Sequence, residues 1–156
     1  MGNVAPLLGP ISDIGNDPAL VAAISTIADE GVAPVVRDMK LRVMAAEPGR
    51  VRFELDVVPH LVHGGGVLCG QAIMAAMDTG MVLMMASLSN GAEPSFTTVQ
   101  LATNFERGVP GDSGTVVFEA VATKPGRALV FGEVGLYLPD GRRAASATST
   151  YMWLNA

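Results

Sequence analysis

The chain has 156 residues, 49% of them apolar and 5% aromatic, enough to bury one substantial core and too apolar for a disordered tail. A formal charge of −5, with Lys and Arg scattered, excludes the clustered basic face a nucleic-acid binder needs. The single cysteine excludes an internal disulfide framework and fits a reducing, cytoplasmic setting.

Residues 1–16, rich in Gly, Pro and Asn, are expected to be ill-ordered, leaving residues 17–156 as a single domain. No basic stretch followed by an apolar run marks a signal peptide. "NDPALVAAISTIADEG" reads as a helix, with Asn16 or Asp17 as cap, Pro18 in the first turn and Gly31 as stop. Leu20, Ile24 and Ile27 then share one face. "VRDMKLRVMAAEPGRVRFELDV" reads as a hairpin. In its first half Met39, Leu41 and Val43 alternate with charged residues, and in its second half Val51, Phe53, Leu55 and Val57 do so.

After Pro59 comes "HGGGVLCGQAIMAAMDTG", residues 63–80, opening a long apolar helix that runs to about Ser89 and closes in "SNGAEP". The run from Val67 to Leu88 is long enough to suggest a membrane span. Gly70, Gln71, Asp78, Thr79 and Gly80 interrupt it and no basic or aromatic flank anchors it, so the reading is a buried helix in a soluble protein. Four strands follow, "SFTTVQLATNFE", "TVVFEAVAT", "ALVFGEVGLYL" and "RAASATSTYMWL", each but the last ending in a turn signal. This order predicts an α+β fold, an antiparallel sheet wrapped around a long central helix. Because that helix is apolar nearly all round, a second subunit is the natural remaining cover.

Within that helix Met74, Met77, Met81 and Met84 form a thioether stripe that reads first as core filler. Asp78 is harder to explain. An isolated buried carboxylate costs several kcal/mol unless it is paired or protonated. No Lys, Arg or His lies between His63 and Arg107. Either Asp78 faces a solvated cleft or bonds to Thr79 or Ser87, or the fold holds a reactive carboxylate as base or nucleophile. A carboxylate acting on an acyl group needs a donor for the developing oxyanion, and the amides near Gly70 and Gln71 at the helix start supply one. Eight residues separate Gly70 from Asp78, about 12 Å along one helix. One helix cannot serve one carbonyl with both, whereas two antiparallel helices across a twofold axis can. A catalytic Asp78 therefore implies a dimer.

A glycine turn followed by "D-T" on an apolar helix resembles the hotdog-fold acyl-CoA thioesterases of the phenylacetate-degradation (PaaI-like) type. Their pattern is an Asn, six residues to His-Gly-Gly, and nine from that His to the catalytic Asp. Counting back nine from Asp78 gives Cys69, so Cys69-Gly70-Gln71 occupies the His-Gly-Gly slot, as in a variant branch, and His63 occupies the Asn slot. The "HGG" at 63–65 is a decoy by spacing. "TTVQLATNFERGVPGD" is similar to the family strand that ends Asn-Phe-x-Arg, placing Asn104 and Arg107. "KPGRALVFGEVGLYLPDGRRAASATSTYMW" resembles its last hairpin, with Gly126 and Arg127 at a turn that often contacts coenzyme A.

The resemblance implies hydrolysis of an acyl-CoA thioester by a homodimer or dimer of dimers. Asp78 would be base or nucleophile, the amide near Gly70 or Gln71 the oxyanion donor, and His63 would orient water or the thioester. Asn104, Arg107, Gly126 and Arg127 would contact coenzyme A, which is part of the substrate, and no separate cofactor is implied. A hotdog-type hydratase or dehydratase ranks second, since no Asp-x-x-x-x-His motif is present. A non-catalytic acyl-CoA-binding module is the third reading. Cys69 as a nucleophile and a metal site at His60, His63 and Cys69 rank lower, the latter for want of a firm ligand spacing. Neither a nucleic-acid nor a membrane partner is expected.

Overall fold

In the computed structural model, which describes residues 13–89 and 95–155, Asp17 opens α1 (Pro18–Thr26). Its carboxylate accepts from the amides of Ala19 (3.0 Å) and Leu20 (3.2 Å), and Pro18 pre-sets the first helical turn. The helix runs on as a π-helical turn, Ile27–Gly31, and turns Ile24 into the core with Leu20 and Ile27 beside it. Residues 1–12 of the segment expected to be ill-ordered lie outside the described residues. Gly15 donates to Glu47 (3.1 Å) and the Asp17 amide to the Ala46 carbonyl (3.0 Å), so this part of the chain lies along β1 (Arg42–Glu47).

The first hairpin begins later than the alternation suggested. Pro34 starts a single helical turn, α2 (Pro34–Arg37), and Lys40 takes a left-handed φ of 55°, which ends any extended run. Met39 and Leu41 are buried as expected, but from a loop, and the strand starts at Arg42. The remaining strands fall within one or two residues of expectation: β2 (Arg50–Asp56), β3 (Phe96–Phe105), β4 (Thr115–Pro125), β5 (Leu129–Tyr137) and β6 (Arg143–Trp153). Most of the "SNGAEP" turn, residues 90–94, lies outside the described residues. The six strands form one antiparallel sheet in the order β1-β2-β4-β5-β6-β3.

α3 (Gly70–Ser87) crosses the inner face of this sheet, the hotdog arrangement. Met77, Met81 and Met84 are fully buried among Phe53, Leu55, Phe118, Val130, Val134 and Leu136, so three of the four stripe methionines are core filler. Met74 is 39% exposed. Among the described residues no helix is long and apolar enough to cross a membrane.

Helix and sheet touch closely at Gly80, where a Cβ would lie 2.6 Å from the Phe53 ring. Gly→Ala inside a helix normally stabilises by about 1 kcal/mol. Here overpacking reverses the sign: Gly80→Ala is expected to destabilise by roughly 1–3 kcal/mol, read as a lower melting temperature.

β3 is the edge strand opposite β1, ten residues long and exposed along most of its length. Its pairing with β6 carries a bulge: Thr98 faces Tyr151 and Gln100 faces Thr150, leaving Val99 as an extra residue. Thr98 and Phe105, of opposite parity in sequence, therefore both reach α3.

Candidate active site

The glycine-rich loop is a tight turn built around His63. The His63 carbonyl accepts from the Gly66 amide (2.9 Å), its amide donates to the Val67 carbonyl (3.0 Å), and Gly66 takes a φ of 80°. The Gly65 amide donates to His63 Nδ1 at 2.8 Å. In the neutral ring this puts the proton on Nε2. A Cβ at position 65 would lie 2.6 Å from the imidazole Cε1, so the "HGG" that is a decoy for the family's spacing serves to orient His63. Gly65→Ala is expected to alter the ¹⁵N tautomer signature of His63. The turn is exposed, so stability should stay within about 0.5 kcal/mol of wild type.

Beyond the turn, the Leu68 amide donates to the Val109 carbonyl and the Cys69 amide to the Leu61 carbonyl, both at 2.8 Å, which fixes where α3 starts. Cys69 sits at the cap position without a side-chain capping bond, so the cap residue leaves the first-turn amides unbonded. The Phe105 ring packs over Gly70, 3.3 Å from where a Cβ would sit. His63, Gly70, Phe105 and Arg107 line a cleft of about 290 Å³, with Val67, Leu68, Ile73 and Val109 as its apolar wall. A second cleft of about 350 Å³ continues past Arg107 and Gly108 to Arg142, whose guanidinium is held by Asp140 (2.8 Å).

Asp78 lies two turns further along α3, half-buried, and does not line that cleft. Its carboxylate bonds to neither residue suggested from the sequence: the Thr79 hydroxyl donates to the Ala75 carbonyl (2.8 Å) and the Ser87 hydroxyl to the Met84 carbonyl (2.6 Å). Both are back-bonds along the helix, the usual outlet for a buried Ser or Thr there. Oδ1 of Asp78 instead accepts from the Tyr151 hydroxyl at 2.5 Å and from the Thr98 hydroxyl at 3.1 Å. Burial first, and the bond to Asp78 second, push the Tyr151 phenol well above its ordinary range. Neither partner stands out locally in sequence. The signal is the alternation of the last strand, which turns Tyr151 to the same face as Ala145 and Ala147 and there obliges its hydroxyl to find an acceptor.

The remaining residues of interest are spread out. Gln71 is exposed at the helix start, and His60 is exposed in the 3₁₀ turn Pro59–Leu61. Asn104 pairs with Ser146, whose hydroxyl meets Glu106 on the outer face of the sheet, away from α3. Glu106, next to Arg107, ionises more readily than an ordinary glutamate: burial opposes ionisation, but hydrogen bonds from Arg143 and Ser146 outweigh it. Gly126 and Arg127 form the β4–β5 turn, closed by the Gly126 amide on the Leu129 carbonyl (2.9 Å). Arg107 bonds to Ala144 at the start of β6, whereas Ala128, beside Arg127, bonds to Trp153 at its end. Nine residues of strand, about 30 Å, separate the two ends, so Arg107 and Arg127 of one chain do not meet.

Solved structures share this fold. A thioesterase superfamily member 2 from zebrafish is 22% identical, with 85% of this chain and 97% of that one covered at a TM-score of 0.75. A thioesterase family protein from Silicibacter pomeroyi is 26% identical, with 85% and 96% covered and a TM-score of 0.73. A Streptococcus mutans protein solved with acetyl-CoA bound is 20% identical, with 72% and 87% covered and a TM-score of 0.67. A search of curated proteins gave no significant match. The family model of the thioesterase superfamily matches residues 62–145, more than half the chain, from the His63 turn through α3 to the start of β6. With the fold and that match in agreement, the chain belongs to the thioesterase superfamily.

Proposed function

We propose that the protein hydrolyses an acyl-CoA thioester to free acid and coenzyme A in a site built by two copies of the chain. One observation carries this reading. The open amides at the start of α3 and the Asp78 carboxylate lie about 12 Å apart on one helix, too far to act on one carbonyl. The free edge of β3 offers the remedy. Two copies joined antiparallel along that edge would continue the sheet and set their α3 helices side by side, the start of one against Asp78 of the other.

In that arrangement Asp78 takes a proton from water as the water adds to the thioester carbonyl, or attacks that carbon itself. The amides of Gly70 of the partner subunit and Gln71 of the partner subunit hold the oxyanion, and His63 of the partner subunit turns its Nε2–H to the same oxygen. The C–S bond then breaks and the coenzyme A thiolate leaves. On the water route it takes up the proton held by Asp78. On the direct route water hydrolyses the mixed anhydride on Asp78 to the free acid and restores the carboxylate. Arg127 and Arg107 of the partner subunit approach one end of the site, two guanidiniums suited to the nucleotide phosphates. Support for the ligand comes from the Streptococcus mutans relative with acetyl-CoA and a hypothetical thioesterase protein of Streptococcus pneumoniae solved with coenzyme A.

Free-thiol release from a panel of acyl-CoAs tests the proposal. Turnover on one acyl class is the expected result and names the substrate. Binding of every member without release would make the protein an acyl-CoA-binding module instead.

A further inference from the structure

We propose that Tyr151 is the positioning residue for Asp78: its hydroxyl holds Oδ1, so that the carboxylate meets the reacting atoms through Oδ2. This inference rests on the thioesterase reading above.

The inner face of the sheet is apolar along β2, β4 and β5, and β3 turns Phe96, Thr98, Leu101, Thr103 and Phe105 inward. β6 contributes small side chains, Ala145, Ala147 and Ser149, and then Tyr151. Among the described residues Tyr151 is thus the one titratable side chain on the sheet face that packs against α3, and Asp78 is the one charged residue within α3. The two meet.

The contact is constrained from three sides. Tyr151 is 1% exposed, so its hydroxyl has no water to turn to and must find a protein acceptor. Its single proton lies between two oxygens of the same residue, Oδ1 of Asp78 at 2.5 Å and the Asp78 carbonyl at 3.1 Å. Phe96 stands edge-on to the ring, with centroids 5.7 Å apart and planes at 62°, and blocks its displacement.

Thr98 donates to Oδ1 as well, so two hydroxyls from neighbouring strands converge on one carboxylate oxygen. Among the described residues no side chain bonds to Oδ2. The carboxylate plane is fixed by the pair, and the oxygen left open is the one that can take a proton or attack.

Tyr151→Phe removes one oxygen and leaves the ring in place. In thiol release the expected result is a kcat about tenfold lower, the change that a lost hydrogen bond to a charged group commands, with KM within about twofold. The Asp78 carboxyl ¹³C resonance in the resting protein should differ between Tyr151→Phe and wild type, without any turnover. Wild-type kcat and an unmoved Asp78 resonance in Tyr151→Phe would overturn the proposal and leave Tyr151 as core packing.

Wild type and Asp78→Asn, run alongside, keep the two readings apart. No turnover in wild type defeats the thioesterase reading, and turnover that survives Asp78→Asn removes Asp78 from its mechanism, while the NMR comparison still decides whether Tyr151 governs the carboxylate. Should Tyr151→Phe fail to fold, tyrosinate absorbance of wild type and Asp78→Asn replaces it. The chain holds two tyrosines, so the titration is resolvable. One of them should ionise at lower pH in the variant, and identical curves would overturn the proposal.

Discussion

Asp78→Asn is expected to lower kcat for thiol release by about 10²- to 10⁴-fold, the range that loss of a positioned general base commands. KM should change little. The substitution exchanges one carboxylate oxygen for an amide and keeps the volume of the side chain. The remaining carbonyl oxygen still accepts from Tyr151 and Thr98, so the packing of α3 against β3 and β6 is preserved. Melting temperature and assembly state should therefore match wild type, and any loss is chemical rather than structural. Turnover that survives the substitution would remove Asp78 from the mechanism and turn attention to Cys69 and His63, both beside the start of α3.

The second large effect is a gain. Asp78→Asn and Gly70→Leu, each inactive alone, are expected on mixing and reassociation to recover about a quarter of wild-type activity. Leu at position 70 would occupy the space between the first-turn amides and Phe105, which a Cβ already approaches to 3.3 Å. In a mixed dimer one site carries both defects. The other combines an intact Asp78 from one chain with an intact helix start from the other. Half of the dimers formed at random are mixed, and each has one of its two sites working. If the helix start and Asp78 of the same chain formed the site, mixing would restore nothing, and that result would end the two-chain reading.

Much of this architecture is legible in the chain because its signals are local. Alternation marks β2, β4, β5 and β6 to within a residue or two, and Pro18 behind Asp17 marks the entry to α1. Where alternation continues without a strand, at Met39 and Leu41, the cause is also local but easily outvoted: Pro34 favours a helical turn and Lys40 adopts the left-handed region. The candidate site is less legible. Asp78 stands out because a charge in an apolar run is costly, but its partners come from residues 20 and 73 positions away, and pairing across the sheet decides them. The glycine turn shows the opposite error. Its spacing marks it as a decoy, whereas the Gly65 amide on His63 Nδ1 gives it a structural task that no spacing reveals.

Val99 has a consequence for how this strand is compared with others. One inserted residue shifts the phase of everything after it, so that the side chains from Gln100 to Phe105 exchange faces relative to Thr98. A relative that lacks the insertion would carry its inward residues at neighbouring positions in a gapless comparison. Thr98 and Phe105, which serve the middle and the start of α3, could then not both find their counterparts. Gain or loss of a single residue at this point is a frame change for the edge strand, and it would exchange the surface offered to a second chain in one step, where substitution would need many.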